Sequence, residues 1–306
     1  MKTRNSFIPM IRVMVALLFL TAGCNKITDE GSGESSSIQQ LTVDEMTVDG
    51  ADDDLSDDLN SFFDEGGYKS GLMLPCNVTD SVSVEGDTII HTLKYHGANC
   101  QGTRNRTGTV VLKMHSGQKW SDAGARAIAT LKNFTVARAS NNKPVVLNGT
   151  ITYVNLVGGK VSEVGSTVGQ VILQGRGSFS VTFDNQTTRI WQMARQRVFT
   201  GALGSRLITT TGLGSDGSYN YLVFWGYTRS GALFHSKIID AITHREVCNK
   251  LPGTGTKTLH LPGANNNTVT YGYNSMNKPV TGSECPSRAK LEWEATGYSG
   301  TLYLDL

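Results

Sequence analysis

Residues 167–200, TVGQVILQGRGSFSVTFDNQTTRIWQMARQRVFT, decide the class of fold. Two runs rich in Val, Ile, Phe and Thr, at 167–183 and 187–200, flank the pair Asp184-Asn185. Such a pair between β-rich runs is typical of the turn in an antiparallel hairpin. Both runs exceed the roughly five to six residues of an ordinary strand, so the stretch predicts a hairpin of long strands.

Similar runs of β-forming residues, separated by Gly, Asn, Asp and Pro, continue from residue 71 to the C-terminus. They predict an all-β domain at 66–306, a large antiparallel meander of long strands. The sheet could be an open twisted sheet, a sandwich or a half-barrel. The other predicted strands lie at 87–96, 107–115, 125–138, 145–155, 205–212, 219–228, 231–247, 255–261, 267–274, 288–296 and 299–306.

The N-terminus has the layout of a secretion signal. A basic start precedes the apolar run 13–20, which is too short to span a bilayer core about 30 Å thick. The following TAGC (21–24) resembles a bacterial lipoprotein signal, although such signals prefer Leu where this chain has Thr21. We expect residues 1–23 to be a signal peptide and Cys24 to carry palmitate and further acyl chains. This membrane anchor would hold the protein at the outer membrane.

Charge is distributed unevenly along the chain. Half of the 26 acidic residues lie between Ile27 and Tyr68, a stretch without Lys or Arg. Because such a segment repels itself and stays solvated, residues 24–65 are predicted to be an acidic tether. Apolar residues recur at i, i+4, i+7 and i+8 from Leu55, which predicts a short amphipathic helix at 54–64. That helix would either pack on the β domain or remain loose.

The cysteines fall into two groups. Cys24 stands alone, and four lie in the β domain: Cys76, Cys100, Cys248 and Cys285. Four cysteines in an exported chain predict two disulfides, with three connectivities open. We favour Cys76–Cys100 and Cys248–Cys285, because each pair is separated by about one hairpin. Since none lies in a CxxC or His-rich cluster, the sequence predicts no metal site, and it predicts no cofactor.

One predicted strand concentrates arginine and aromatic residues on a single face. In 187–200, Arg189, Trp191, Arg195 and Arg197 share one side of the strand. Basic residues interleaved with aromatics bind polyanions. In an exported protein the expected partner is an acidic glycan or another envelope component, and nucleic acid is not expected. These four residues are therefore the predicted contacts for a glycan or polyanion.

The β domain shows no convergent catalytic set. The segment GSDG (214–217) places a serine among glycines but is typical of a tight turn. His235 and His244 are nine residues apart on one strand, so they face opposite sides, and His260 is isolated. The sequence therefore predicts that the protein is not an enzyme.

Aromatic residues offer a second kind of binding site. Trp225 and Tyr227 are among the rings that could form a platform for sugars. In a sheet, however, aromatic residues are more often core or cross-strand pairs.

Four further segments carry a resemblance: NGTITYVN (148–155), VTFDNQTTRIW (181–191), ITHREVC (242–248) and GSECPSRAKLEW…GTLYLDL (282–306). With the lipoprotein signal they resemble Bacteroidota lipoproteins that have an all-β body and no assigned activity. The similarity covers most of the mature chain through loose motifs. It implies an envelope protein and assigns no catalytic residue.

These features predict an envelope-anchored lipoprotein with a non-catalytic binding or structural role, and they leave its oligomeric state open. Two alternatives are a glycan hydrolase that uses paired carboxylates, and a lipid carrier formed by an open half-barrel.

Overall fold

A computed structural model describes residues 30–64, 74–140, 142–262, 267–295 and 298–306. The predicted signal peptide and Cys24 lie outside the described residues. One helix, α1 (Glu30–Asp64), precedes strands that pair into a single antiparallel sheet. The predicted all-β class with an N-terminal helix is confirmed.

The thirteen predicted strands are all present, and two more occur at Val78–Glu85 and Gly214–Asp216. The strands are β1 (Val78–Glu85), β2 (Thr88–Ala98), β3 (Arg104–His115), β4 (Ala125–Arg138), β5 (Pro144–Asn155), β6 (Val171–Thr182), β7 (Thr188–Thr200), β8 (Leu207–Gly212), β9 (Gly214–Asp216), β10 (Tyr219–Tyr227), β11 (Leu233–Arg245), β12 (Pro252–His260), β13 (Asn267–Tyr273), β14 (Arg288–Ala295) and β15 (Tyr298–Asp305). Short 3₁₀ turns occur at Val161–Glu163 and Glu246–Cys248.

The strands follow chain order across the sheet except near its middle. β10 pairs with one half of β7 and β8 pairs with the other half, and the same two strands divide β11 between them. β8 and β10 thus occupy one position in the sheet, end to end. β9 pairs only with β10 and forms a short hairpin beside that position.

α1 lies inside the curl of this sheet. Between residues 37 and 63, where the helix side chains are described, only Ser37, Gln39 and Ser61 are exposed. An amphipathic helix on a protein surface would expose one whole face. The burial on all sides, together with contacts to strands from β2 to β12, means that the sheet wraps around the helix.

Apolar packing brings the helix closest to β4 and β14. Its backbone lies within 8 Å of both strands. The inward side chains there include Ala127, Ala129 and Ala289, all fully buried. Because alanine ends at Cβ, these positions let the helix backbone approach the sheet. Four helix residues spaced by seven fill the remaining space: Leu41, Val48, Leu55 and Phe62.

The helix differs from the sequence-based expectation. It begins at Glu30 instead of residue 54, and its described acidic side chains are mostly buried, so the solvated acidic spacer is wrong for this segment. The physical reason is distance along the chain. The cations that compensate these acids lie far along the chain, 193 residues away for Asp57 and Lys250, where no local charge pattern can reveal them.

Both predicted disulfides are confirmed. Cys76–Cys100 has a Cα–Cα distance of 5.1 Å, and Cys248–Cys285 has one of 5.3 Å. The second bond connects the turn after β11 with the segment before β14, across a sequence separation of 37 residues.

We expect the double substitution Cys248→Ser, Cys285→Ser to lower the free energy of unfolding by roughly 2–4 kcal/mol, because it frees a long loop in the unfolded chain. Urea unfolding followed by tryptophan fluorescence measures the change. An unfolding midpoint equal to that of the unaltered protein would contradict the expectation.

Candidate functional site

Arg195 of β7 is the centre of the contact between α1 and the sheet. Its guanidinium lies 2.6 Å from Asp49 and 2.8 Å from Asp53, and it also pairs with Asp52. Tyr153 of β5 donates a hydrogen bond to Asp52. Arg195 is 2% exposed and Asp52 is 3% exposed, whereas Asp49 and Asp53 are half-buried, so the buried cation meets one buried and two partly exposed carboxylates.

Further ion pairs continue along the helix in both directions. They are Asp44–Arg229 (2.7 Å), Glu45–Lys257 (3.0 Å), Asp54–Arg104 (3.2 Å), Asp57–Lys250 (2.6 Å) and Asp58–Arg106 (2.6 Å). Ser236 of β11 also donates to Glu45. A buried charge is tolerated only when it is paired and hydrogen bonded, and these contacts provide that pairing.

Gly50 has a steric role in this contact. A Cβ at Gly50 would collide with the Arg104 guanidinium, which lies against the helix at that point. Glycine lowers helix stability in isolation. Its position here is explained by the space that it leaves for Arg104.

Burial outweighs the neighbouring cations at five of the helix carboxylates, whereas at Asp53 burial is outweighed by Arg197 and Arg195, which lower the pKa. Burial raises the pKa of Asp58 from 3.8 to about 7 in spite of the neighbouring Arg106. Burial also raises the pKa values of Asp44, Glu45, Asp52 and Asp54. The folded protein therefore retains protons that the same carboxylates release in the unfolded chain.

The predicted polyanion contacts do not form an exposed surface. Trp191, Arg195 and Arg197 are 0%, 2% and 3% exposed on the inner face of β7. Arg189 donates to the carbonyl oxygens of Thr228 and Arg229 and so holds the turn between β10 and β11. The prediction of an external ligand at these residues is corrected, because the anion that meets Arg195 and Arg197 is α1 itself.

A cavity of about 390 Å³ opens beside the Cys76–Cys100 disulfide. Its charged lining includes Asp57, Asp58, Arg106 and Lys250. These four groups pair with one another, Asp58 with Arg106 and Asp57 with Lys250.

The outer face of the sheet carries a different set of side chains. On five neighbouring strands, β6, β7, β10, β11 and β12, Ser178, Gln192, Trp225, His235 and His260 stand opposite one another in register. We name these five residues the outer row. Gln192 donates a hydrogen bond of 2.8 Å to Ser178, so its amide is oriented along the row.

The hairpin of β9 and β10 borders the outer row. Asp216 accepts a hydrogen bond of 2.8 Å from His235 Nε2, and the Tyr219 ring stacks on the His235 ring at 4.1 Å. A Cβ at Gly214 would collide with the Trp225 indole, so glycine allows the indole to lie over the hairpin. Residues 214–216 form β9 and the turn lies at 217–218, so the predicted turn is displaced, and the hairpin positions Asp216 and Tyr219 beside His235.

Sequence reasoning identified Trp225 and Tyr227 as aromatic candidates and missed the cluster around them. His260 is isolated in sequence, yet its ring lies 6.4 Å from that of His235. Tyr227 is 48% exposed at the next outward position along β10. The sequence shows which side chains share a face within one strand. It does not show which residues of neighbouring strands stand opposite one another, and that register brings the row together.

Comparisons with known proteins found no matching family model, no matching curated protein and no matching solved structure. Within the described ranges, no helix combines the length and apolar character needed to cross a membrane. Among the same residues, no group of three or more His, Cys, Asp or Glu side chains is arranged to hold a metal ion.

Arg195→Met should lower the free energy of unfolding by about 3–5 kcal/mol, because it leaves the buried Asp52 and the partly exposed Asp49 and Asp53 without their shared cation. Arg126→Met is the matched control. Arg126 is exposed on β4, and its replacement should change stability by less than about 0.5 kcal/mol. Chemical unfolding of both variants measures the difference, and equal losses would contradict the importance of the buried cation.

The raised pKa of Asp58 predicts how stability depends on pH. Between about pH 4 and pH 7 the folded state binds a proton that the unfolded chain has released, so stability falls as the pH rises. We expect Asp58→Asn to reduce the fall between about pH 5 and pH 8 by on the order of 3 kcal/mol.

Denaturant titrations at several pH values measure this dependence. Glu85→Gln, at an exposed carboxylate on β1, should keep the dependence of the unaltered protein. If Asp58→Asn and Glu85→Gln give the same pH profile, the assignment to Asp58 is wrong.

Proposed function

We propose that this protein is a lipoprotein held at the outer membrane of a bacterial envelope by acyl chains on Cys24. Its folded body has a non-catalytic binding or structural role. The signal layout of residues 1–24 supports the anchor. The two disulfides support export, since such bonds persist in oxidising compartments.

The observation that carries the proposal is the short distance from Cys24 to a helix that the sheet encloses. The helix begins at Glu30, six residues beyond that cysteine. Six residues span at most about 20 Å. Its first described buried side chain is Ile38 and its described ion pairs begin at Asp44, so an anchor at Cys24 is connected to the core through the start of the helix. The body would stay close to the membrane surface.

The arrangement of carboxylates supports a non-catalytic role. A carboxylate-based hydrolase needs two acidic groups that face a substrate cleft. The acidic residues concentrated in α1 instead pair with cations of the sheet, as Asp58 does with Arg106. A lipid carrier needs an open apolar concavity. Here α1 occupies the inside of the curl. The hydrolase and the lipid carrier therefore have less support than a non-catalytic binding or structural role.

The anchor is tested on the full-length chain produced in a Gram-negative host with labelled palmitate. We expect the unaltered protein to incorporate the label and to sediment with membranes. Cys24→Ser should lose the label and move to the soluble fraction, because it removes the acylated thiol.

The intact mass of the purified protein provides the second measurement. A mature chain that starts at residue 24 and carries acyl chains agrees with the proposal. An unacylated residue 24, or label retained by Cys24→Ser, would overturn it.

A further inference from the structure

The outer row combines aromatic rings with hydrogen-bonding groups on the outer face of the sheet. Trp225 is half-buried and His260 is exposed, whereas His235 between them is buried beneath the stacked Tyr219 ring and hydrogen bonded to Asp216. Gln192 and Ser178 continue the row with an amide and a hydroxyl. We propose that the outer row, with Asp216 and Tyr219, is the binding surface for a neutral polysaccharide chain.

Ring stacking is the first argument for a sugar ligand. An aromatic face carries a negative partial charge, and the C–H groups on one side of a pyranose ring present a positive one. Trp225 provides the larger ring at the centre of the row, with Tyr219 nearby and Tyr227 exposed at the next outward position. The edge of the Trp225 indole lies against Gly214 of the hairpin, which helps to fix the position of the ring.

The polar groups supply the second argument. Sugar hydroxyls need partners that both donate and accept, as amides, hydroxyls and imidazoles do. Gln192, Ser178 and His260 are of these types and lie on either side of Trp225. Asp216 is ordered by His235, and its side chain remains 44% exposed, so one carboxylate edge is open to solvent.

The shape of the row favours a chain over a small molecule. Its five strands are spaced about 4.8 Å apart, so the row extends for about 19 Å across the sheet. Because the Tyr219 ring lies on His235 and 5.0 Å from the His260 ring, an extended polysaccharide would pass over Tyr219 between Trp225 and His260.

Charge argues against an anionic ligand on this surface. The arginines of β7 that could attract a polyanion face the helix on the other side of the sheet. Close to the row, the exposed Arg176 donates a hydrogen bond to the carbonyl oxygen of Leu213, and Lys237 lies 5.8 Å from the ring of Tyr221. Asp216 adds a negative charge, so the charges near the row are of both signs. A neutral polymer therefore fits this face better than a polyanion.

The inference deepens the proposed function and rests on it, because an envelope protein meets glycans outside the cytoplasm. The polysaccharide inference and the lipoprotein proposal can fail separately, since acylation is measured by mass and polysaccharide binding by adsorption.

Adsorption to insoluble polymers tests the inference. Full-length protein in mild detergent is mixed with microcrystalline cellulose, chitin, insoluble mannan and starch granules. The protein that remains in solution gives an adsorption isotherm for each polymer.

We expect saturable adsorption to at least one of the four polymers. Trp225→Ala and His260→Ala should each weaken it by about tenfold, as expected for the loss of a stacking or hydrogen-bonding group. His260→Ala changes an exposed side chain and so keeps the test informative if Trp225→Ala folds poorly. Tyr303→Ala, at a half-buried ring on β15, is the control and should adsorb as the unaltered protein does.

Three results would overturn the inference. One is no saturable adsorption to any of the four polymers. Another is adsorption that both row variants retain. The third is a protein dimer in sedimentation that His260→Ala dissociates, because the outer row would then be the contact between two copies.

Discussion

Compensation of buried charge between α1 and the inner face of the sheet is the constraint on which the rest of this structure depends. Arg195 meets three carboxylates of the helix, and Lys257 meets Glu45 with both side chains no more than 1% exposed. Removing water from any one of these groups costs several kcal/mol unless a partner of opposite charge replaces it. Neither the helix nor the inner face supplies both partners by itself.

The helix would be a poor helix outside the sheet. It contains no Lys or Arg, and its acidic residues repeat at i, i+4 spacings such as Asp49, Asp53 and Asp57. Like charges at that spacing destabilise an isolated helix. The sheet removes the penalty by placing cations from β3, β7 and β12 around the helix. Formation of α1 is therefore coupled to closure of the sheet around it.

The same ion pairs fix the position of the helix along its axis. The apolar positions recur every seven residues, so a shift by seven would keep an apolar side chain at most of these sites. The shift would replace Asp44 by Ala51 or by Ser37 opposite Arg229. Buried polar contacts of this kind select one register among several that apolar packing permits. In that register α1 occupies the inside of the curl, so the outer row lies on the opposite face of the sheet from the helix.

The sequence alone determined the features that depend on local pattern. Alternating β-branched and aromatic residues marked thirteen strands, and the spacing of the cysteines favoured the disulfide pairing that the structure contains. Two strands were missed for a local reason, because β1 is polar between its valines and mostly exposed, and β9 has only three residues. The spacing from Leu55 predicted only the last part of α1, since Gly50 and the acidic run before it are unfavourable in an isolated helix.

Only the tertiary structure decided which face of each strand is the interior. Alternation places Trp191 and Arg195 on one side of β7, but it does not say whether that side meets water or a helix. The answer depends on Asp49, which lies 146 residues before Arg195, and on the register that brings His260 opposite His235. Contacts across such distances arise from the order and curvature of the whole sheet, and no local window of sequence contains them.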